Sequence, residues 1–262
     1  MTTHPDPWIE LIDASVAPMH AVAAPERLSG VNWAVGAGEF WAVGGPPGSG
    51  KSDLLTTAAG LHKVPRGRQM LFGRGVGEMS ESEMVAARLR VGMVFADGGR
   101  LFPHLSVEEN VALPICYHRD CGPGGARDRV REILAAMGLE RHAAVLPSRV
   151  TRNLHQKIAL ARALALQPEL LLVDSPLHGL DPRQSQWWQD FLLRLSRGHK
   201  LMGGRPTTVI VATDDLRPWL EEATQFALVH GGGFHTVGGR EELLGQDSAV
   251  VRDLLGKGLY GD

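Results

Sequence analysis

Cysteine is scarce. Two thiols in 262 residues, Cys116 and Cys121, exclude a disulfide-stapled scaffold. With His118 between them they begin a metal-ligand set, but a fourth ligand and a second pair are missing, so they read as two reduced thiols in a loop. Net charge is small as well: −2, with acids and bases interspersed, provides no basic stripe for a nucleic acid backbone or an anionic membrane surface. Nucleic acid is therefore not expected as a partner, and the short basic run Arg127, Arg129 and Arg131 reads as a solvated helix face. No uninterrupted apolar run approaches the roughly 18 residues of a membrane-spanning helix. The opening MTTHPDPW has neither the basic start nor the apolar core of an export signal. A cytoplasmic chain is expected, one that needs a spanning partner if it serves a membrane process. Neither a repeat of fixed period nor a low-complexity tract occurs, and the length suits one large α/β domain or a core with a smaller lobe.

What is present begins with GPPGSGKS, Gly45 to Ser52, which satisfies G-x-x-x-x-G-K-[ST] at every fixed position. It stands between the strand-like Phe40, Trp41, Ala42 and Val43 and a helix-like run from Asp53 to Ala59, the setting a phosphate-binding loop requires. Gly45, Gly48 and Gly50 let the backbone curl with its N–H groups inward, within hydrogen-bonding range of phosphate oxygens, which the positive end of the following helix also attracts. Gly45, Pro46, Pro47, Gly48, Ser49, Gly50, Lys51, Ser52 and Asp53 are thus the candidate nucleotide-phosphate site. Lys51 is placed to reach the β- and γ-phosphates, and the Ser52 hydroxyl to bind Mg²⁺.

Along the chain, Trp8 to Val16 and Leu28 to Val35 have the alternation of strands, with a loop between them, and predict a small antiparallel sheet. Gly60 is the expected cap of the helix after the phosphate loop. A glycine-rich turn spans Gly73 to Gly77, and Ser80 to Glu83 has capping-box spacing for a short helix to about Leu89, followed by a strand at Val91 to Phe95. From Ala96 to about Leu166 the pattern becomes helical, as in a lobe inserted into an α/β core. Ser106 caps one helix, which Pro114 helps to end; Val130, Ile133, Leu134 and Met137 line another, closed by Gly138; a third runs from about Asn153 to Leu166. Leu170 to Val173 predicts a strand buried on both faces with Asp174 at its C-terminal edge, the place where phosphate-loop enzymes hold Mg²⁺. Asp181-Pro182 caps a long helix whose tryptophans, Trp187 and Trp188, read as packing. A buried strand at Thr207 to Ala212, a hairpin about Gly231 to Gly233 and a helical tail complete the chain.

The phosphate loop, VGMVFADGGRLFPHLSVEENVALP, TRNLHQKIALARALALQPELLLVDSPLHGLDP and VIVATDDL occur in this order and spacing, and together they resemble the ATP-binding subunits of ABC transporters. The resemblance runs from about residue 8 to 240, and ENVALP is similar to the ATPases of bacterial lipid-trafficking transporters of the Mla and Mce type. It implies an α/β fold, a P-loop NTPase with a RecA-like parallel-sheet core, an N-terminal antiparallel β subdomain and an inserted ABC-type helical subdomain. The ATP-binding domain would cover residues 1–245, with core lobes at about 1–95 and 167–245, a helical lobe at about 96–166 and a tail at 246–262. It further implies ATP with Mg²⁺ on Ser52 and Asp174, a homodimer or heterodimer with another ABC ATPase, and a membrane-spanning permease that places the chain at the inner face of the cell membrane.

Several functional groups of that family are replaced. Ala96 stands where a glutamine touches Mg²⁺ and water, Ser175 where a glutamate polarises the water, and Asp214 where a histidine contacts the γ-phosphate. The signature LSGGQ, which reads across the dimer onto the partner's ATP, is here Val150-Thr151-Arg152-Asn153-Leu154: Thr151 keeps the hydroxyl, while Arg152 and Asn153 replace both glycines. Arg152 is itself able to contact phosphate. No aromatic residue occupies the adenine-stacking place; Trp33 reads as core, and His20 is the remaining guess. The expectation is ATP binding with weak hydrolysis, in which Asp214 or Asp215 is a displaced base. The alternative is a non-catalytic regulatory or structural subunit paired with a competent ATPase.

Overall fold

The computed structural model describes residues 7–19, 26–96, 98–99 and 101–256, with residues 123 and 152 described in their backbone alone. Alternating apolar residues make the first two strands, β1 (Ile9–Val16) and β2 (Leu28–Val35), which pair antiparallel with Ile9 opposite Val35 and Leu11 opposite Trp33. The central strand β3 (Phe40–Gly44) is buried along its whole length. Because strand side chains alternate, Phe40 and Ala42 enter one apolar core and Trp41 and Val43 the other, on opposite faces of the same sheet.

Beyond the phosphate loop, α1 (Lys51–Ala58) ends at Gly60, whose φ of +71° closes the helix as expected. Two short strands that sequence periodicity did not predict follow, β4 (Arg68–Leu71) and β5 (Arg74–Gly75). β4 pairs with β1, so the first sheet has the order β2-β1-β4-β5. At four and two residues these strands are too short to show a period; pairing with an existing edge decides them. Ser80 and Glu83 exchange both capping-box hydrogen bonds at the start of α2 (Glu81–Leu89), and β6 (Val91–Val94) follows.

Helix α3 (Val107–Arg119) starts at the Ser106–Glu109 capping box, but Pro114 lies inside it and does not end it. A proline there removes one helical hydrogen bond. Burial of Val107, Val111 and Ile115 along one stripe, spanning the proline, holds the next turn in place, and the helix ends at Asp120 with φ +46°. Cys116 is accordingly in the last helical turn and not in a loop. α4 (Pro123–Met137) stops at left-handed Gly138, and α5 (Arg152–Ala163) runs on into a 3₁₀ turn at Leu164–Leu166.

Arg129 on α4 corrects the reading of a solvated basic face. Arg127 and Arg131 are exposed, but the Arg129 side chain is only 16% exposed. It donates to the carbonyl oxygens of Leu164 (3.0 Å) and Leu201 (2.7 Å), tying α4 to two chain turns. Arg129→Met keeps the stem but removes the charged donor from both carbonyls, leaving each to Gln167, whose N–H reaches Leu164 and whose Nε2 reaches Leu201, both at 3.1 Å. It is expected to lower stability by about 2–3 kcal/mol, read as a lower urea midpoint at unchanged slope.

The rest of the second sheet is β7 (Leu170–Asp174), β8 (Thr208–Thr213), β9 (Gln225–His230) and β10 (Gly233–Gly238); α6 (Pro182–Arg197) lies between β7 and β8 in the chain, and α7 (Arg240–Leu244) and α8 (Ala249–Leu254) follow β10. Its order is β10-β9-β3-β8-β7-β6, parallel except for the β9–β10 hairpin. This order puts the C-terminal ends of β3, β8, β7 and β6 along one edge, where open parallel sheets bind ligands. Among the described residues no helix is long and apolar enough to cross a membrane.

Candidate nucleotide site

The four strand ends deliver the phosphate loop, Thr213-Asp214, Asp174-Ser175 and the residues leading to Ala96. Gly45 has no room for a side chain, since a Cβ would collide with the carbonyl oxygen of Val229. Gly50, at φ +104°, turns the backbone directly into α1. Between these glycines the loop curves, and the helix starts with Lys51, two residues earlier than the apolar pattern predicts.

A cleft of about 420 Å³ opens on this edge. Pro47 to Asp53 line it, together with Arg27, Ala96, Ser175, His178 and Asp214. Gly45 and Pro46 stand behind it and accept hydrogen bonds from Lys51 Nζ at 2.5 and 2.9 Å. Burial pushes the Lys51 ammonium below its ordinary range, and the nearby carboxylates of Asp214 and Asp174 act the other way. Lys51 is thus a desolvated cation held at the floor of a glycine cradle, the form in which a positive charge interacts most strongly with an anion.

Asp174, 2% exposed at the end of β7, accepts a hydrogen bond from Ser175 Oγ (3.1 Å). Ser175 itself has φ +48°, with its N–H on the Ala212 carbonyl (2.9 Å), so the chain turns sharply at the cleft wall. The oxygen donors of Ser52 and Asp174 fit a hard divalent cation. The candidate bases divide. Asp214 lines the cleft, whereas Asp215 is held by Arg217 through both carboxylate oxygens (2.9 and 2.7 Å) and does not.

Beside Ala96 lies a smaller cavity of about 160 Å³, bounded by Asn153, Gln156, His178 and Gly179. Gln156, 5% exposed, donates to the Ala96 carbonyl at 2.6 Å and so connects α5 to the end of β6. At the signature position, Thr151 precedes α5 and is exposed, with no side-chain cap bond, and Arg152 is the first residue of the helix. The Asn153 side chain is engaged within its own chain, donating to Gln184 Oε1 on α6 at 2.8 Å. Trp33 is 2% exposed and packs edge-on against Trp41, a core residue as expected; His20 lies outside the described residues. Cys116 and Cys121 are partly buried free thiols, and burial together with the neighbouring Cys121 raises the Cys116 pKa.

Arg27, Gln156 and His178 were not singled out from sequence. His178 follows Asp174 by four residues in the same turn, its N–H on the Ser175 carbonyl (3.3 Å), which was the available signal. Arg27 comes more than fifteen residues before the loop and has no local pattern to mark it.

Comparison with known proteins places these features. The ABC transporter family matches residues 28–178. The chain is 34% identical over 216 residues to the sulfate/thiosulfate import ATP-binding protein CysA of Nephroselmis olivacea, covering 82% of this chain and 59% of that protein. It is 32% identical over 228 residues to the intermembrane phospholipid transport system ATP-binding protein MlaF of Haemophilus influenzae, covering 87% of this chain and 84% of that one. Among solved structures, an ATP-binding cassette determined as a dimer in a post-hydrolysis state with ADP and Pi superposes with a TM-score of 0.76 at 26% identity, over 88% of this chain and 99% of that one. The chain therefore spans about three-fifths of the length of its sulfate-import relative and most of the phospholipid-transport one.

Proposed function

Because the chain belongs to the ABC transporter family of ATP-binding proteins, we propose that it is an ATP-binding subunit that pairs head to tail with itself or a related chain beneath a membrane-spanning permease. ATP binding at the subunit interface supplies the motion, since a ligand that favours the closed dimer shifts the equilibrium without turnover. The observation that carries this reading is Lys51, buried in the cleft and held by Gly45 and Pro46, while Ala96 and Ser175 line the same cleft in place of the family's glutamine and glutamate. In this reading Gly45 to Asp53 grip the phosphates, and Ser52 and Asp174 would hold Mg²⁺, whose charge would offset that of the phosphates. Ser175 orients Asp174 but cannot take a proton from water, so hydrolysis is slow. The solved relative that forms a dimer supports the dimer, and a lipid-like cargo rests on the resemblance of ENVALP to Mla- and Mce-type ATPases together with the 32% identity to a phospholipid-transport ATP-binding protein.

The Asn153–Gln184 hydrogen bond favours the second reading, a regulatory or structural subunit paired with a competent ATPase. It commits the signature side chain to its own chain instead of to a partner's ATP. ATP binding, ATP-dependent dimerisation and single-turnover phosphate release on the purified chain with Mg²⁺ separate the cases. Tight binding and dimerisation with slow release support the primary reading. Binding without self-association or release supports the second. Rapid release that Asp214→Asn abolishes would establish Asp214 as the displaced base, and no binding would overturn both.

A further inference from the structure

Resting on the reading of this cleft as a nucleotide site, we propose that Arg27 is a second phosphate-binding cation, standing at the α1 end of the phosphate loop and held ready there by Asp53.

Arg27 opens the strand β2 side of the cleft, and its backbone is fixed: its N–H donates to the Val16 carbonyl (2.7 Å), and Ser29 two residues on donates to Gly232 (3.1 Å). Its stem lies on the last glycine of the loop, since a Cβ added at Gly50 would meet Arg27 Cγ at 2.7 Å. The guanidinium ends beside Asp53 on the first turn of α1, Nε to Oδ2 at 3.6 Å, with the arginine side chain 47% exposed. That separation is longer than the 2.7–2.9 Å typical of a charge-assisted hydrogen bond. Asp53 is the fixed member of the pair: its side chain is 15% exposed and its other oxygen accepts the Met19 N–H at 2.9 Å. Arg27 is therefore held by position and attraction, with its fork of N–H donors still available in the cleft.

Charge explains the arrangement. Asp53 and Asp214 both line the cleft, and against them stand the cations Lys51 and Arg27. Lys51 is held on the Gly45 and Pro46 carbonyls with Asp214 and Asp174 as its neighbouring carboxylates, while Arg27 is the cation beside Asp53. A carboxylate one residue beyond Ser52, at the end of the loop that cradles the α- and β-phosphates, repels them unless a cation stands over it. Arg27 removes that repulsion, and its planar fork matches a phosphate's oxygens. Arg27 thus exchanges a loose partner, Asp53, for the incoming polyphosphate.

The test is calorimetric binding of ATP and of inorganic tripolyphosphate to the wild-type chain, Arg27→Ala and Asp53→Asn. Arg27→Ala is expected to weaken both ligands by about tenfold or more, as the loss of one hydrogen bond from a charged group does. Asp53→Asn keeps an oxygen for the Met19 N–H, removes the opposing charge, and is expected to tighten both ligands severalfold, a change that no folding defect produces. Loss of ATP affinity alone in Arg27→Ala would place the guanidinium on the base or sugar and overturn the proposal. So would equal weakening in both variants, which is the behaviour of a purely structural pair, or no change in either. A wild-type chain that binds neither ligand would overturn the nucleotide reading itself, so the two failures are distinguishable.

Discussion

Lys51→Ala is expected to abolish measurable ATP binding. Lys51 is 7% exposed in the cleft, so few water molecules compete for its ammonium. Two charge-assisted contacts to β- and γ-phosphate oxygens, at about 1.5–3 kcal/mol each, amount to about 3–6 kcal/mol, or roughly 10²- to 10⁴-fold in Kd. Without ligand the same ammonium holds Gly45 and Pro46 carbonyls, so its removal also slackens the loop. Lys51→Met, which keeps the aliphatic stem, separates these effects: it should bind ATP as poorly as Lys51→Ala while melting closer to the wild type. Titration calorimetry with a parallel thermal melt checks both. Retained affinity in either variant would mean that the phosphates are held elsewhere than at this loop.

The second large effect is a gain. Ser175→Glu is expected to raise single-turnover hydrolysis by about 10²-fold, the lower part of the range that a positioned general base contributes. Residue 175 lies on the cleft wall one position after the buried Asp174, and its backbone is anchored by the N–H bond to Ala212. A carboxylate placed there can accept the proton of the attacking water, which a serine hydroxyl cannot. Full family rates are not expected, because Ala96 and Asp214 still stand where a glutamine and a histidine act. The φ of +48° at Ser175 is already borne by a residue with a Cβ, so a longer side chain adds little backbone strain and the melting temperature is expected to stay close to that of the wild type. Ser175→Gln is the control of matching size without the charge. Equal phosphate release from wild type, Glu and Gln variants would show that the missing base does not limit turnover, and would direct attention to Ala96.

Much of the fold was legible because its determinants are local. The capping boxes at Ser80 and Ser106, the left-handed glycines at Gly60 and Gly138, and the uniformly apolar Leu170 to Val173 each act through neighbours within a few residues, and the structure contains all of them. Local signals misled where packing outweighed them. Pro114 carries a helix-ending signal, but a stripe of buried side chains on both sides of it keeps α3 continuous. Arg129 has the composition of a solvated face, but two turns remote in sequence present carbonyls within its reach.

The site divides along the same line. The glycine-rich loop and the carboxylate at the end of β7 were legible by residue type at a fixed offset from a strand or helix, and the readings of Ala96, Ser175 and Asp214 came from the family resemblance. Only the tertiary structure decided that Arg27 stands over Asp53, that Gln156 reaches the Ala96 carbonyl, that Asn153 is taken up by Gln184, and that Asp214 faces the cleft while Asp215 turns to Arg217. The physical reason is the order of the second sheet. Hydrogen bonding of β3 beside β8, then β7 and β6, gathers four strand ends that are far apart in the chain onto one edge. Which side chains meet there depends on register and crossover, quantities that no window of neighbouring residues contains.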